Sequence, residues 1–167
     1  PVKEGDAILI PGEVDHYTLN DGGEGVIRRI EINPLVAAQV GGARPGGDPG
    51  IGRPPVIKNY RDLNAETGSR ILGSRDGAPT YLMLYNGAMA PGSVSHQEGG
   101  GHVHPWEHVV FILEGHASIM CEGTEYPVAA GDGILVPPNT FHQWRNTSDQ
   151  PMTRVTFNPL ESETAEH

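Results

Sequence analysis

An all-β domain, a sandwich or barrel of short strands, is the fold class this sequence predicts, and three observations predict it. From about residue 80 onward, short apolar stretches alternate with Gly, Pro, Asn and Asp at close intervals. Glycine (23) and proline (15) are abundant in a chain of 167 residues whose hydrophobic share is 37%, which suits many tight turns around a packed core. No segment of this part shows a long helical stripe.

Seven strands are expected in order, each closed by a turn signal. The first, 81–90, leads to Pro91-Gly92. The second, 107–114, lies between Pro105 and Gly115. The third, 117–122, and fourth, 124–128, are split by Gly123. The fifth, 134–136, stands between Gly131-Asp132 and Pro137-Pro138-Asn139. The sixth, 141–146, and seventh, 152–157, are separated by Asp149 and Pro151. A helix is an alternative only at 59–66.

Upstream, the chain repeats itself. Pro1-Val2, Gly5-Asp6, Ile8-Leu9, Pro11, His16 and Asn20 match Pro127-Val128, Gly131-Asp132, Ile134-Leu135, Pro137, His142 and Asn146 at one offset of 126. Asn33-Pro34-Leu35 then echoes Asn158-Pro159-Leu160 after a slip of one residue. Such self-similarity implies a duplicated β unit, its first copy represented by its last portion. Between the copies, 41–55 has almost no apolar periodicity and reads as a flexible or extended linker. The expected organisation is therefore 1–35 as a partial unit, 36–79 as connector, 80–160 as a complete domain and 161–167 as an acidic tail.

Composition narrows the function classes. Lys+Arg 11 against Asp+Glu 21 leaves a net charge of −10 with neutral histidines and a pI near 5.1, which argues against nucleic acid and anionic membrane as partners. The single cysteine, Cys121, cannot form an internal disulfide. No apolar run approaches the roughly 18 residues of a membrane span, and no basic-then-apolar signal opens the chain. A cytoplasmic protein is expected.

Eight histidines are the compositional oddity. His102 and His104 are two apart, so on an extended strand both rings project from one face. His108 begins the next strand, with Val110 and Ile112 on its side. His142 begins a later one, with Trp144 on its side. Burying four imidazoles without a common partner would strand several ring nitrogens. One divalent transition metal satisfies them: iron, manganese, nickel, copper or zinc rather than an oxygen-seeking cation.

Gly101-His102-x-His104-x-x-x-His108, followed six residues later by Gly115, resembles the first motif of the cupin superfamily. Gly131, Pro137, His142 and Asn146 resemble the second, with matching internal spacings. The resemblance covers residues 80–159. It implies a small jelly-roll barrel around one metal held by His102, His104, His108 and His142, with 1–35 as the closing half of another cupin unit. Most metal cupins have glutamate where this chain has His108. Glu107 would serve only after a one-residue slip that turned Val110 and Ile112 outward. The His-Pro-Trp-Glu-His string resembles the small all-histidine cupins, where the metal is often manganese or iron.

Four neutral ligands leave a divalent ion its full charge, which favours anionic, chelating or enolate-like substrates and brings dioxygen beside them. In lacking a carboxylate ligand the site resembles the ring-cleaving and diketone-cleaving cupin dioxygenases, a resemblance that implies a dioxygenase cleaving a C–C or C=C bond of a small aromatic, diketone or alkene substrate. A metal-dependent lyase or isomerase, or a non-catalytic ligand-binding cupin, is the alternative. Val110, Ile112, Trp144 and Phe157 are the candidate pocket walls by strand parity. His96 is a candidate general base or gate at the pocket mouth. His16, which matches His142, lacks an upstream His-x-His and reads as vestigial, while His116 and His167 read as solvated. Cys121 reads as buried filler, and Gly99-Gly100-Gly101 as a turn into the metal strand. The half unit at 1–35 exposes strand edges, so a homodimer, or pairing with a cupin segment upstream of Pro1, is expected.

Overall fold

The computed structural model describes residues 1–33 except 13, 15 and 23, residues 54–97 except 66 and 67, and residues 100–164. Among them there is no α-helix, and ten strands account for the architecture. They are β1 (Asp6–Leu9), β2 (Val56–Asn59), β3 (Arg70–Leu72), β4 (Tyr81–Met89), β5 (His108–Glu114), β6 (His116–Cys121), β7 (Thr124–Ala129), β8 (Gly133–Val136), β9 (His142–Arg145) and β10 (Met152–Pro159). The last seven follow the seven expected stretches, with ends displaced by no more than two residues.

These strands form the two layers of a jelly roll. A five-stranded sheet runs in the order β3-β4-β10-β5-β8 and a three-stranded sheet in the order β7-β6-β9. All their pairings are antiparallel. Between the layers, Val110 and Ile112 of β5 meet Ala117 and Ile119 of β6, Val128, Val136, Trp144 and Met152 in one buried apolar cluster. Alternation along β5 explains the register. Val110 and Ile112 are 1% and 0% exposed while their neighbours are not fully buried, as expected of a strand with one face on the core.

The outer face of the five-stranded sheet is covered as well. Ala7, Ile71 and Leu72 form a second buried cluster that packs on Met83 and Tyr85 of β4, and Tyr60 stacks on Tyr85 at 4.4 Å between centroids. The connector is therefore not a plain linker. Its β2 pairs with β1 in a separate two-stranded sheet, and its β3 extends the five-stranded sheet beside β4. The Gly/Pro-rich stretch itself, 41–55, lies outside the described residues except for 54 and 55. The helical alternative at 59–66 is replaced by one 3₁₀ turn, Tyr60–Asp62, where the Asn59 side chain accepts from the Arg61 amide and caps it. No helix among the described residues is long and apolar enough to cross a membrane.

The internal repeat has a structural counterpart in local hydrogen bonds. The Lys3 amide donates to the Asp6 carboxylate at 2.8 Å, and the Ala129 amide to the Asp132 carboxylate at 2.7 Å. The turn glycines beside them, Gly5 and Gly131, both take positive φ, 86° and 98°. His16 Nδ1 lies 2.8 Å from the Val14 carbonyl, as His142 Nδ1 lies 2.8 Å from that of Thr140. The surroundings differ. Downstream of β1, the described residues up to 33 form no strand, and Ile10, Tyr17, Leu19, Val26, Ile27 and Ile30 are exposed.

Candidate metal centre

Four histidines converge inside the barrel. His102, His104, His108 and His142 each offer a ring nitrogen, all within 4.8 Å of one another. Among the described residues, neither Glu107 nor any other carboxylate belongs to this group. His108 reaches it from the first residue of β5 and His142 from the first residue of β9, so two sheets supply one ligand each from the same end of the barrel.

His102 and His104 arrive differently from the expected pleated strand. His102 makes only an isolated bridge to His142, in which each backbone amide donates to the other's carbonyl at 3.0 Å. His104 lies outside any strand, and its carbonyl accepts from the Asn139 amide at 2.8 Å. The close bridge dictates Gly101. With φ at +141°, a Cβ there would sit 2.6 Å from the His142 carbonyl oxygen, so no side chain fits without moving His142.

The rings are held by their outer nitrogens. His142 Nδ1 donates to the Thr140 carbonyl and His104 Nδ1 to that of Trp106, at 2.8 and 3.0 Å. His108 Nδ1 hydrogen-bonds the side-chain oxygen of Asn158 on β10. A ring whose Nδ1 carries the proton presents the Nε2 lone pair at its other end, the tautomer a metal requires. The indole of Trp106 lies flat on His104, with centroids 4.5 Å apart and planes within 2°.

Burial keeps three of the rings neutral. Burial pushes His102 down to about 3, with His142 and the other neighbouring rings adding to the effect. Burial likewise takes His108 to about 4 against the opposing hydrogen bond from Asn158. His142 is lowered for the same first reason. All three rings therefore keep their lone pairs at neutral pH. His102 Nδ1 is buried without a hydrogen-bond partner. An orphaned buried nitrogen among neutral rings fits a transition-metal ion.

The other expected site residues separate into three positions. Val110, Ile112 and Trp144 lie on the histidine side of their strands but pack into the core, with Trp144 4% exposed. Phe157 does not: it pairs with Val109 and Met83, on the face opposite Asn158, and so points away from the cluster. The inward row of β10 is instead Arg154, Thr156 and Asn158, opposite or beside Ile112, Val110 and His108. His96, exposed and at a strained φ of +50°, sets its ring edge-on against His102 with centroids 4.0 Å apart. Asn158 and Arg154 are the site residues the sequence reading did not single out. Their signal was present in the polar alternation of Arg154, Thr156 and Asn158.

Comparison with known proteins agrees with this geometry. Residues 88–157 match the family model described as Cupin domain. A stretch of 50 residues, 29% of this chain, is 32% identical to the protein named polyketide synthase CurC of Streptomyces cyaneus, and spans 32% of that relative's length. The fold is similar to that of the polyketide cyclase RemF from Streptomyces resistomycificus, with a TM-score of 0.52 and 20% identity over 62% of this chain and 78% of the other. A cupin 2 domain-containing protein from Halorhodospira halophila superposes with a TM-score of 0.49 and 21% identity over 59% of this chain and 69% of the other. The segment that matches the family model, 88–157, holds all four clustered histidines and the strands β5 to β9.

Proposed function

We infer that this chain is a metal-dependent cupin enzyme acting on a small organic substrate through the substrate's oxygen atoms. The observation that carries the reading is the cluster of four histidines within 4.8 Å, with no carboxylate among its members in the described residues. His102, His104, His108 and His142 would hold one divalent transition metal, iron or manganese ahead of copper, nickel or zinc. Such an ion supplies Lewis acidity toward chelating or enolate-like oxygen and, when redox-active, a route for dioxygen to react with the substrate. Asn158, Thr140 and Trp106 fix the tautomers of three rings. Val110, Ile112 and Trp144 pack the core beside them, and His96 stands on the exposed side, where a proton can be taken up or delivered.

Dioxygen-dependent cleavage of a C–C or C=C bond in a small aromatic, diketone or alkene substrate is the first reaction assigned. Polarisation of a carbonyl without oxygen, as in a lyase or isomerase, is the second. Oxygen-electrode and product assays on Fe(II)- and Mn(II)-loaded protein with catechols, β-diketones and styrenes decide between them. Oxygen uptake stoichiometric with product supports the first reaction; turnover without uptake supports the second. A full metal load with neither leaves a ligand-binding cupin.

Residues 1–35 are read as the closing half of another cupin unit, supported by the matched turns at Asp6 and Asp132 and by the matched histidine contacts of His16 and His142. A homodimer, or a further cupin segment, would cover the apolar residues exposed there.

A further inference from the structure

The inner row of β10 holds three polar side chains, and two are accounted for. Asn158 holds His108, and Thr156 donates to the Asn86 side chain at 2.5 Å. Arg154 is the exception. It pairs in register with Ile112, which is fully buried, so it stands on the interior face. Its guanidinium lies over the ring of Trp144, 4.7 Å from the centroid. Its Nε is buried without a hydrogen-bond partner, and among the described residues no carboxylate comes within ion-pairing distance of it. The residue as a whole is half-buried.

Charge balance sharpens the point. Burial lowers the Arg154 pKa to about 10, which still leaves the group cationic at neutral pH. Ile112, the register partner of Arg154, stands on the same face of β5 as His108. Trp144, beneath the guanidinium, is two residues from His142 on β9, roughly 7 Å along the strand. The four rings bring no negative charge, and an ion held by them adds positive charge to the same space. A buried cation with no internal counter-charge is costly unless a ligand supplies one.

We propose that Arg154 is the anchor for a carboxylate on the substrate, whose planar pair of oxygens matches the guanidinium fork while a second oxygen function faces the histidine centre. This deepens the functional reading above by assigning a substrate class, the small carboxylic acids bearing a further carbonyl or hydroxyl group. It rests on that reading for the metal alone.

Isothermal titration of the manganese-loaded protein with acetate, oxalate and benzoate, and with benzamide as the uncharged match to benzoate, tests it. At least one carboxylate is expected to bind, with benzamide at least tenfold weaker than benzoate if benzoate is the one that binds. Arg154→Met is expected to weaken carboxylate binding at least tenfold, and Arg154→Lys, which keeps the charge, to retain part of it. Metal content is expected to stay at the wild-type level in both. If no carboxylate binds, or if Arg154→Met and Arg154→Lys both bind it as the wild type does, the proposal is overturned while the metal centre stands. If the wild type takes up no metal, the functional reading fails, and the same titrations of metal-free protein still decide the role of Arg154. If Arg154→Met does not fold, loss of affinity in Arg154→Lys carries the decision.

Discussion

Asn158→Ala isolates the contribution of one hydrogen bond to the metal centre. Asn158 is 6% exposed, and its side-chain oxygen is the partner of His108 Nδ1. Without that acceptor, the His108 proton has no reason to remain on Nδ1, and the tautomer with a protonated Nε2 presents no lone pair to an ion. Removing such an outer partner typically costs tenfold to a hundredfold in metal affinity, or about 1.4–2.8 kcal/mol. The truncation also leaves a buried imidazole N–H unsatisfied, worth about 1–3 kcal/mol of folding stability. Competition with a chromophoric chelator, run well below the unfolding temperature of the variant, separates the two effects. Asn158→Asp keeps an acceptor in place and should retain or strengthen binding. Zinc or manganese affinity of Asn158→Ala within twofold of the wild type, in a folded protein, would refute the role assigned to Asn158.

Other outcomes follow from the same geometry. His104→Ala should reduce bound metal, measured by elemental analysis of protein purified without chelator, from one ion per chain to a small fraction; full retention would contradict the ligand set. In metal-free protein, His102, His108 and His142 have folded pKa values below the ordinary 6.5, so the unfolded chain binds more protons between about pH 6.5 and 4. Stability should be full above that window and fall as the pH drops through it. The urea midpoint at pH 7.5, 6 and 5 checks the sign, and a midpoint that rises on acidification would be the wrong one. Gly101→Ala places a Cβ against the His142 carbonyl at a strained φ, and should cost about 1–3 kcal/mol. That lowers the melting temperature by roughly 2–4 °C per kcal/mol, and chelator competition should show weaker metal binding as well. An unchanged melting temperature would mean that the bridge between His102 and His142 gives way freely.

What was legible in the sequence was what obeys local rules. The seven strands of the barrel alternate with period two and end at Gly or Pro, and the four histidines sit at spacings that two strand starts and one tight bridge can bring together. Phe157 was misplaced because parity was read from hydrophobicity, on the premise that a sheet has one apolar face. Here Ala7 of β1 and Tyr60 of the 3₁₀ turn pack against the outer face of the five-stranded sheet, Val155 is buried on that side, and the inward row of β10 is free to be polar. β3 is three residues long, too short to show a period. Its place in the sheet comes from Ile71 and Leu72 meeting Ala7, a contact across more than sixty positions of sequence that no local pattern encodes.

The flat stacking of Trp106 on His104 gives the centre its own optical reporter. The chain has two tryptophans, and the other, Trp144, stands two positions from His142. Ultraviolet emission from this protein therefore originates beside the four rings, where a paramagnetic ion would drain the excited state of either indole while zinc would leave it bright. The protein can announce which kind of ion it has taken up without any added dye.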